Sequence, residues 1–110
     1  MEQREPKRLR LSVPRGAIEE FCRRWKIDEL SFFGSILRDD FGPDSDVDVL
    51  VAFGPDARWG GFDLVEMRDE LSALVGRPVD LLTRRSLEAS KNWIRRKEIL
   101  GSAEPFFVSR

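Results

Sequence analysis

Apolar positions along the chain follow two periods. Ile18, Phe21, Cys22 and Trp25 recur at the three- and four-residue spacing of a helix face, and Ser12, Val13 and Pro14 supply a helix start, so a first helix is predicted to end near Trp25. A strand follows over Ile27–Phe33, broken by Gly34 and Ser35, with a short helix over 35–40 and a turn over 41–45 built on Gly42 and Pro43. Positions 46–53 alternate most clearly: Val47, Val49, Val51 and Phe53 share one parity, and Asp46, Asp48, Leu50 and Ala52 the other. After a loop over 54–61, in which Trp59 is a lid or a surface anchor, Asp63 begins a second helix. Its stripe is Leu64, Met67, Leu71, Leu74 and Val75, and Gly76 is its C-cap. A third strand spans 78–83, and Ser86 begins a last helix running towards Arg96 or Leu100. In the tail, Phe106, Phe107 and Val108 either pack back or face a partner. Residues 1–12 read as a flexible polar arm and 13–110 as a single domain. This order predicts an α/β architecture, a sheet of at least three strands covered by helices.

Composition narrows the chemistry more than the fold. The 110 residues, 41% of them hydrophobic, suit one core and leave no room for a separate acceptor-binding domain, so an acceptor would be held by a partner or by its own structure. A net charge of -1 argues against general nucleic-acid binding. Locally, however, Arg84, Arg85, Lys91, Arg95, Arg96 and Lys97 stand against Glu88 alone, by default a solvated helix face. Cys22 is the single cysteine, which excludes an intrachain disulfide and a cysteine zinc cluster; its place on an apolar stripe makes it a packing residue. Histidine is absent, which removes the serine–histidine and cysteine–histidine nucleophiles. No apolar run reaches 18 residues and the charged start lacks a signal core, so a cytoplasmic protein without a membrane span is expected.

What remains is carboxylate chemistry. Asp46 and Asp48, two apart on a strand, project from the same face of a sheet. Two such charges about 4 Å apart repel by roughly 4 kcal/mol near a protein surface, so the pair calls for a cation. Mg²⁺ suits it, because that ion takes one or two carboxylates together with substrate phosphates. Asp80 lies on another predicted strand; if the two strands are neighbours, three carboxylates converge, enough for two metal ions around a phosphoryl displacement. Gly34 and Ser35, between a strand and a helix start, form a candidate phosphate site, and Arg38 lies one turn further on. Taken singly, each feature has an ordinary explanation: a turn, a capping aspartate, an edge-strand charge, a surface ion pair. Trp93, Phe106 and Phe107 would suit a partner interface, although aromatic residues more often pack. The joint spacing gives the site its weight.

With Phe33-Gly34-Ser35, a spacer of ten, Asp46-Val47-Asp48-Val49-Leu50-Val51 and Val79-Asp80-Leu81-Leu82-Thr83, the chain resembles the polymerase-beta-type nucleotidyltransferase superfamily. More narrowly it resembles the minimal nucleotidyltransferases, antitoxins whose partner toxin is a HEPN-domain ribonuclease. The resemblance implies a small mixed sheet, ATP as substrate held at Gly34 and Ser35, and Mg²⁺ on Asp46, Asp48 and Asp80. It also implies transfer of AMP to a tyrosine hydroxyl of the toxin, with Asp80 where that hydroxyl is activated. The chain has no tyrosine, so a tyrosine acceptor must lie on another molecule. Two rival readings are an antitoxin that acts by binding alone and a small-molecule nucleotidyltransferase; the short chain disfavours the second.

Overall fold

A computed structural model of the chain describes residues 9–109. The elements run α1 (Arg15–Arg24), β1 (Ile27–Phe33), β2 (Val47–Phe53), α2 (Gly61–Val75), β3 (Val79–Thr83), α3 (Arg84–Glu88), α4 (Trp93–Ser102) and β4 (Glu104–Val108), with a four-residue 3₁₀ turn, Gly34–Leu37, after β1. The strands form one sheet in the order β3-β2-β1-β4. β1 is antiparallel to β2 and β4, whereas β2 and β3 are parallel and α2 makes the crossover between them. The sheet is therefore mixed, as the resemblance implies.

Each sheet face is covered differently. On one, Leu30, Phe32, Val47, Val49 and Val51 pack against Ile18 and Phe21 of α1 and Met67 and Leu71 of α2. On the other, Phe33 and Leu50 meet Leu87 of α3 and Ile99 of α4. The alternation in β2 is thus as read, but the face that carries Asp48 has its own apolar patch. Cys22 is fully buried, and burial pushes its thiol up to about 12, which fits packing and not reactivity.

The helix ends follow local chemistry. Asp63 is the third residue of α2; its carboxylate accepts the Gly60 backbone N–H at 2.9 Å. Gly76 ends the helix in the left-handed region, φ +74°, donating its N–H to the Ser72 carbonyl. Trp59 is an anchor: its indole N–H donates to the Trp25 carbonyl at 2.9 Å, and the two rings meet edge to face at 5.0 Å.

Four features depart from expectation or decide between its alternatives. The helix expected over 35–40 is only the 3₁₀ turn. The single last helix is two, because Asn92 accepts the Arg95 N–H at 3.1 Å and so caps a new helix, while the Ser90 hydroxyl accepts the Asn92 N–H. The tail forms a fourth strand, in which Phe106 is an extra residue in the ladder between Pro105 and Phe107. Both phenylalanines are buried in the core, so neither is a surface for a partner. Of the expected polar arm, residues 1–8 lie outside the described residues. From Leu9 onward the chain is held: Leu9 and Leu11 pack on the core, and the Arg10 N–H donates to the Ile36 carbonyl at 2.8 Å.

Candidate active site

β1 and β2 are antiparallel neighbours, so the end of one meets the start of the other, and Phe33 is opposite Asp48. Gly34 follows immediately with φ +78°, a conformation that L side chains rarely adopt. A Cβ on Gly34 would overlap the Asp48 carboxylate. The glycine is therefore required twice, by its backbone and by the acid beside it. Ser35 is half-buried in the 3₁₀ turn; the N–H groups that open such a turn lack partners within it.

Asp48 and Asp80 are register partners on the parallel strands β2 and β3, whose backbones lie about 4.8 Å apart. The adjacency that sequence left open is present. Asp46 stands exposed just ahead of β2. Asp48 is partly buried, and its carboxyl is held above the ordinary carboxylate range, first by loss of water and then by the charges of Asp80 and Asp46; Arg38 and Arg95 pull the other way. Three acids thus share one field. As they stand, no group of three or more acid, cysteine or histidine side chains among the described residues is drawn together tightly enough to hold a metal ion.

Arg38 lies at the site's edge and is exposed, its Nε donating to Asp40 at 3.2 Å. Two residues escaped the sequence reading. Arg95, near the start of α4, places its charge within reach of Asp48; membership of the basic stretch was its only signal. Arg77 donates to the Gly42 and Ser45 carbonyls and lies over the Phe41 ring at 4.5 Å, which fixes the loop leading into Asp46. Nothing in the sequence marks it.

A cleft of about 870 Å³ is elsewhere. It lies at the far ends of β2 and β3 and is lined by Phe53, Trp59, Leu64 and Arg85 among others. Its Arg58 is engaged by the Pro55 and Ala57 carbonyls, and its Arg84 by Glu29 and Glu88. Size alone does not make it the reactive centre; the coupled carboxylates are at the other end of the sheet.

Residues 15–103 match the family model described as a nucleotidyltransferase domain. Over 71 residues the chain is 37% identical to protein adenylyltransferase MntA of Thermococcus cleftensis, which covers 64% of this chain and 70% of that protein. A solved structure assigned to the minimal nucleotidyltransferases superposes with a TM-score of 0.63 and 28% identity, over 83% of this chain and 87% of that one. A chain from the complex of tri-AMPylated Shewanella oneidensis HEPN toxin with its MNT antitoxin superposes with a TM-score of 0.60 and 16% identity, over 86% and 70% respectively, a likeness of fold.

Proposed function

Because the chain belongs to the nucleotidyltransferase domain family, in its minimal, MntA-like branch, we propose that it transfers AMP from ATP to a tyrosine hydroxyl of a partner HEPN-type toxin and thereby neutralises it. One observation carries this reading: Asp48 and Asp80 face each other across parallel strands, with Gly34 pressed against Asp48.

The residues fit Mg²⁺. Their oxygens are the hard donors that the ion prefers, and two carboxylates with triphosphate oxygens complete its usual shell, so a ready-made cage of three protein ligands is not needed. Asp46, Asp48 and Asp80 would hold it. When bound, the ion supplies charge neutralisation on the triphosphate and makes the acceptor hydroxyl more acidic.

The chain's own groups do the rest by position. Gly34 admits the phosphates close to the backbone, and the Ser35 hydroxyl and the N–H groups of the turn hold them. Arg38 exchanges Asp40 for a phosphate oxygen, and Arg95 balances the acids from above. The tyrosine oxygen attacks the α-phosphorus while the bond to the bridging oxygen of the β-phosphate breaks. Pyrophosphate leaves, and Asp80 accepts the hydroxyl proton.

The test is to incubate the chain with Mg²⁺, α-labelled ATP and the HEPN-type protein encoded beside it, wild type against Asp46→Asn, following label and intact mass. The expected result is adenylate mass on the partner, with the rate reduced by about a hundredfold or more in the variant and abolished by EDTA. Tight binding with no mass change would reject the chemistry and leave neutralisation by binding alone. Label on a small molecule but not on protein would mark a small-molecule transferase.

A further inference from the structure

Helix α4 is amphipathic in an unusual sense: it has apolar side chains on two faces. Ile99 points inward to Phe33, Leu50 and Leu87, on the sheet face that carries Asp48 and Asp80. Trp93 and Leu100, seven residues apart and so aligned along the helix, project outward with Ile94 beside them. These three are 61%, 39% and 62% exposed. Such a stripe on the solvent side of a helix marks an interaction surface, and a tryptophan anchor is its usual centre. Lys91 and Lys97 stand exposed beside it against Glu98, whereas Arg95 turns to the inner side, towards Asp48. The other large exposed apolar pair, Phe62 and Val65, is at the start of α2, beyond the end of β2 remote from the acids.

Resting on the adenylyl-transfer reading above, we propose that the outward face of α4, Trp93, Ile94 and Leu100 with the surrounding basic residues, is where the acceptor toxin docks, through an apolar segment flanked by acidic side chains. Place and charge single out this occupant. Ile99 packs beside Phe33, the register partner of Asp48, and Arg95 sets its charge on Asp48, so a protein seated on the outer side of α4 is held on the helix that flanks the acids. The basic rim complements an acidic segment and would repel a basic one. Asn92 caps the first turn and Ile99 ties the helix down, so Trp93 and Ile94 are presented on a rigid support.

Trp93→Ala, Ile94→Ser and Lys97→Glu test the surface, because all three side chains are exposed and their loss leaves the core intact. With the toxin as acceptor, each is expected to raise KM for the toxin by tenfold or more, with kcat at saturation and Mg-ATP affinity within twofold of wild type. Affinity for the unmodified toxin, measured by calorimetry, should fall in parallel. Unchanged KM and unchanged affinity would overturn the docking proposal while leaving adenylyl transfer intact. If the wild type transfers no AMP, the functional reading fails on its own, and calorimetry still decides the surface. A homodimer in sedimentation that Trp93→Ala dissociates would assign the face to a second copy and likewise overturn it.

Discussion

Gly34 and Asp48 constrain each other, and each substitution has a sign. Gly34→Ala forces a side chain into the left-handed region and against a carboxylate, at a cost of about 1–3 kcal/mol. The melting temperature should fall and the Asp48 side chain should be displaced, so nucleotide affinity should fall with it. Asp48→Asn should do the reverse to stability. A carboxyl held above its ordinary range contributes stability that is present below the ordinary value, about 3.9, and lost as pH rises through the raised one. In EDTA at neutral pH, Asp48→Asn should therefore melt above the wild type, and the gap should close below about pH 4. A variant that melts lower than wild type at pH 7 would contradict the repulsion described for the site. At this scale the acids and the glycine were legible, because strand parity and the Gly-Ser break are properties of neighbouring residues. Arg95 and Arg77 were not. They reach the site from 47 and 31 positions away respectively, counted from Asp48 and Asp46, and only folding reveals such a distance.

Elements were read where periodicity alone decides and missed where a side chain competes with the backbone. The first two helices and three strands lie close to where the pattern placed them. The last helix did not, because Ser90 and Asn92 offer oxygens to nearby N–H groups and so favour a break over a continued spiral. Removing that oxygen in Asn92→Ala should cost about 0.5–2 kcal/mol, seen as a lower denaturant midpoint, and loosen the start of α4 where Arg95 sits. β4 was hidden for a different reason. A five-residue strand containing Pro105 and a bulge lacks clean alternation, and its value comes from pairing with β1 and from burying Phe106 and Phe107. Phe106 meets Phe32 edge to face at 5.3 Å, and Arg15 lies over its ring at 3.9 Å. Phe106→Ala should destabilise the fold by about 3–5 kcal/mol, whereas Trp93→Ala should change stability far less. Equal losses from the two would contradict the separation of core from docking surface.

The molecule as a whole is organised around one end of a mixed sheet. Strand order was beyond the sequence, since hydrophobic alternation says which face a residue takes but not which neighbour it finds. The order β3-β2-β1-β4 is what sets Asp80 beside Asp48 and closes Gly34 onto them. Family membership and the carboxylate trio were legible because they rest on short local strings. The packing of α4 beside the strand ends that carry the acids was not. One further consequence follows from the last strand. β1 is an inner strand, yet its outer neighbour is residues 104–108, so its second row of hydrogen bonds waits until more than seventy further residues have been made. A nascent chain leaving the ribosome would carry β1 half-paired and the Phe106–Phe107 portion of the core unfilled until residues 104–108 emerge. Chains stopped short of Glu104 would keep an open edge and an exposed apolar face, fit for proteolysis. Such a domain would become competent only once residues 104–108 dock on β1, so its supply would track translation through that strand.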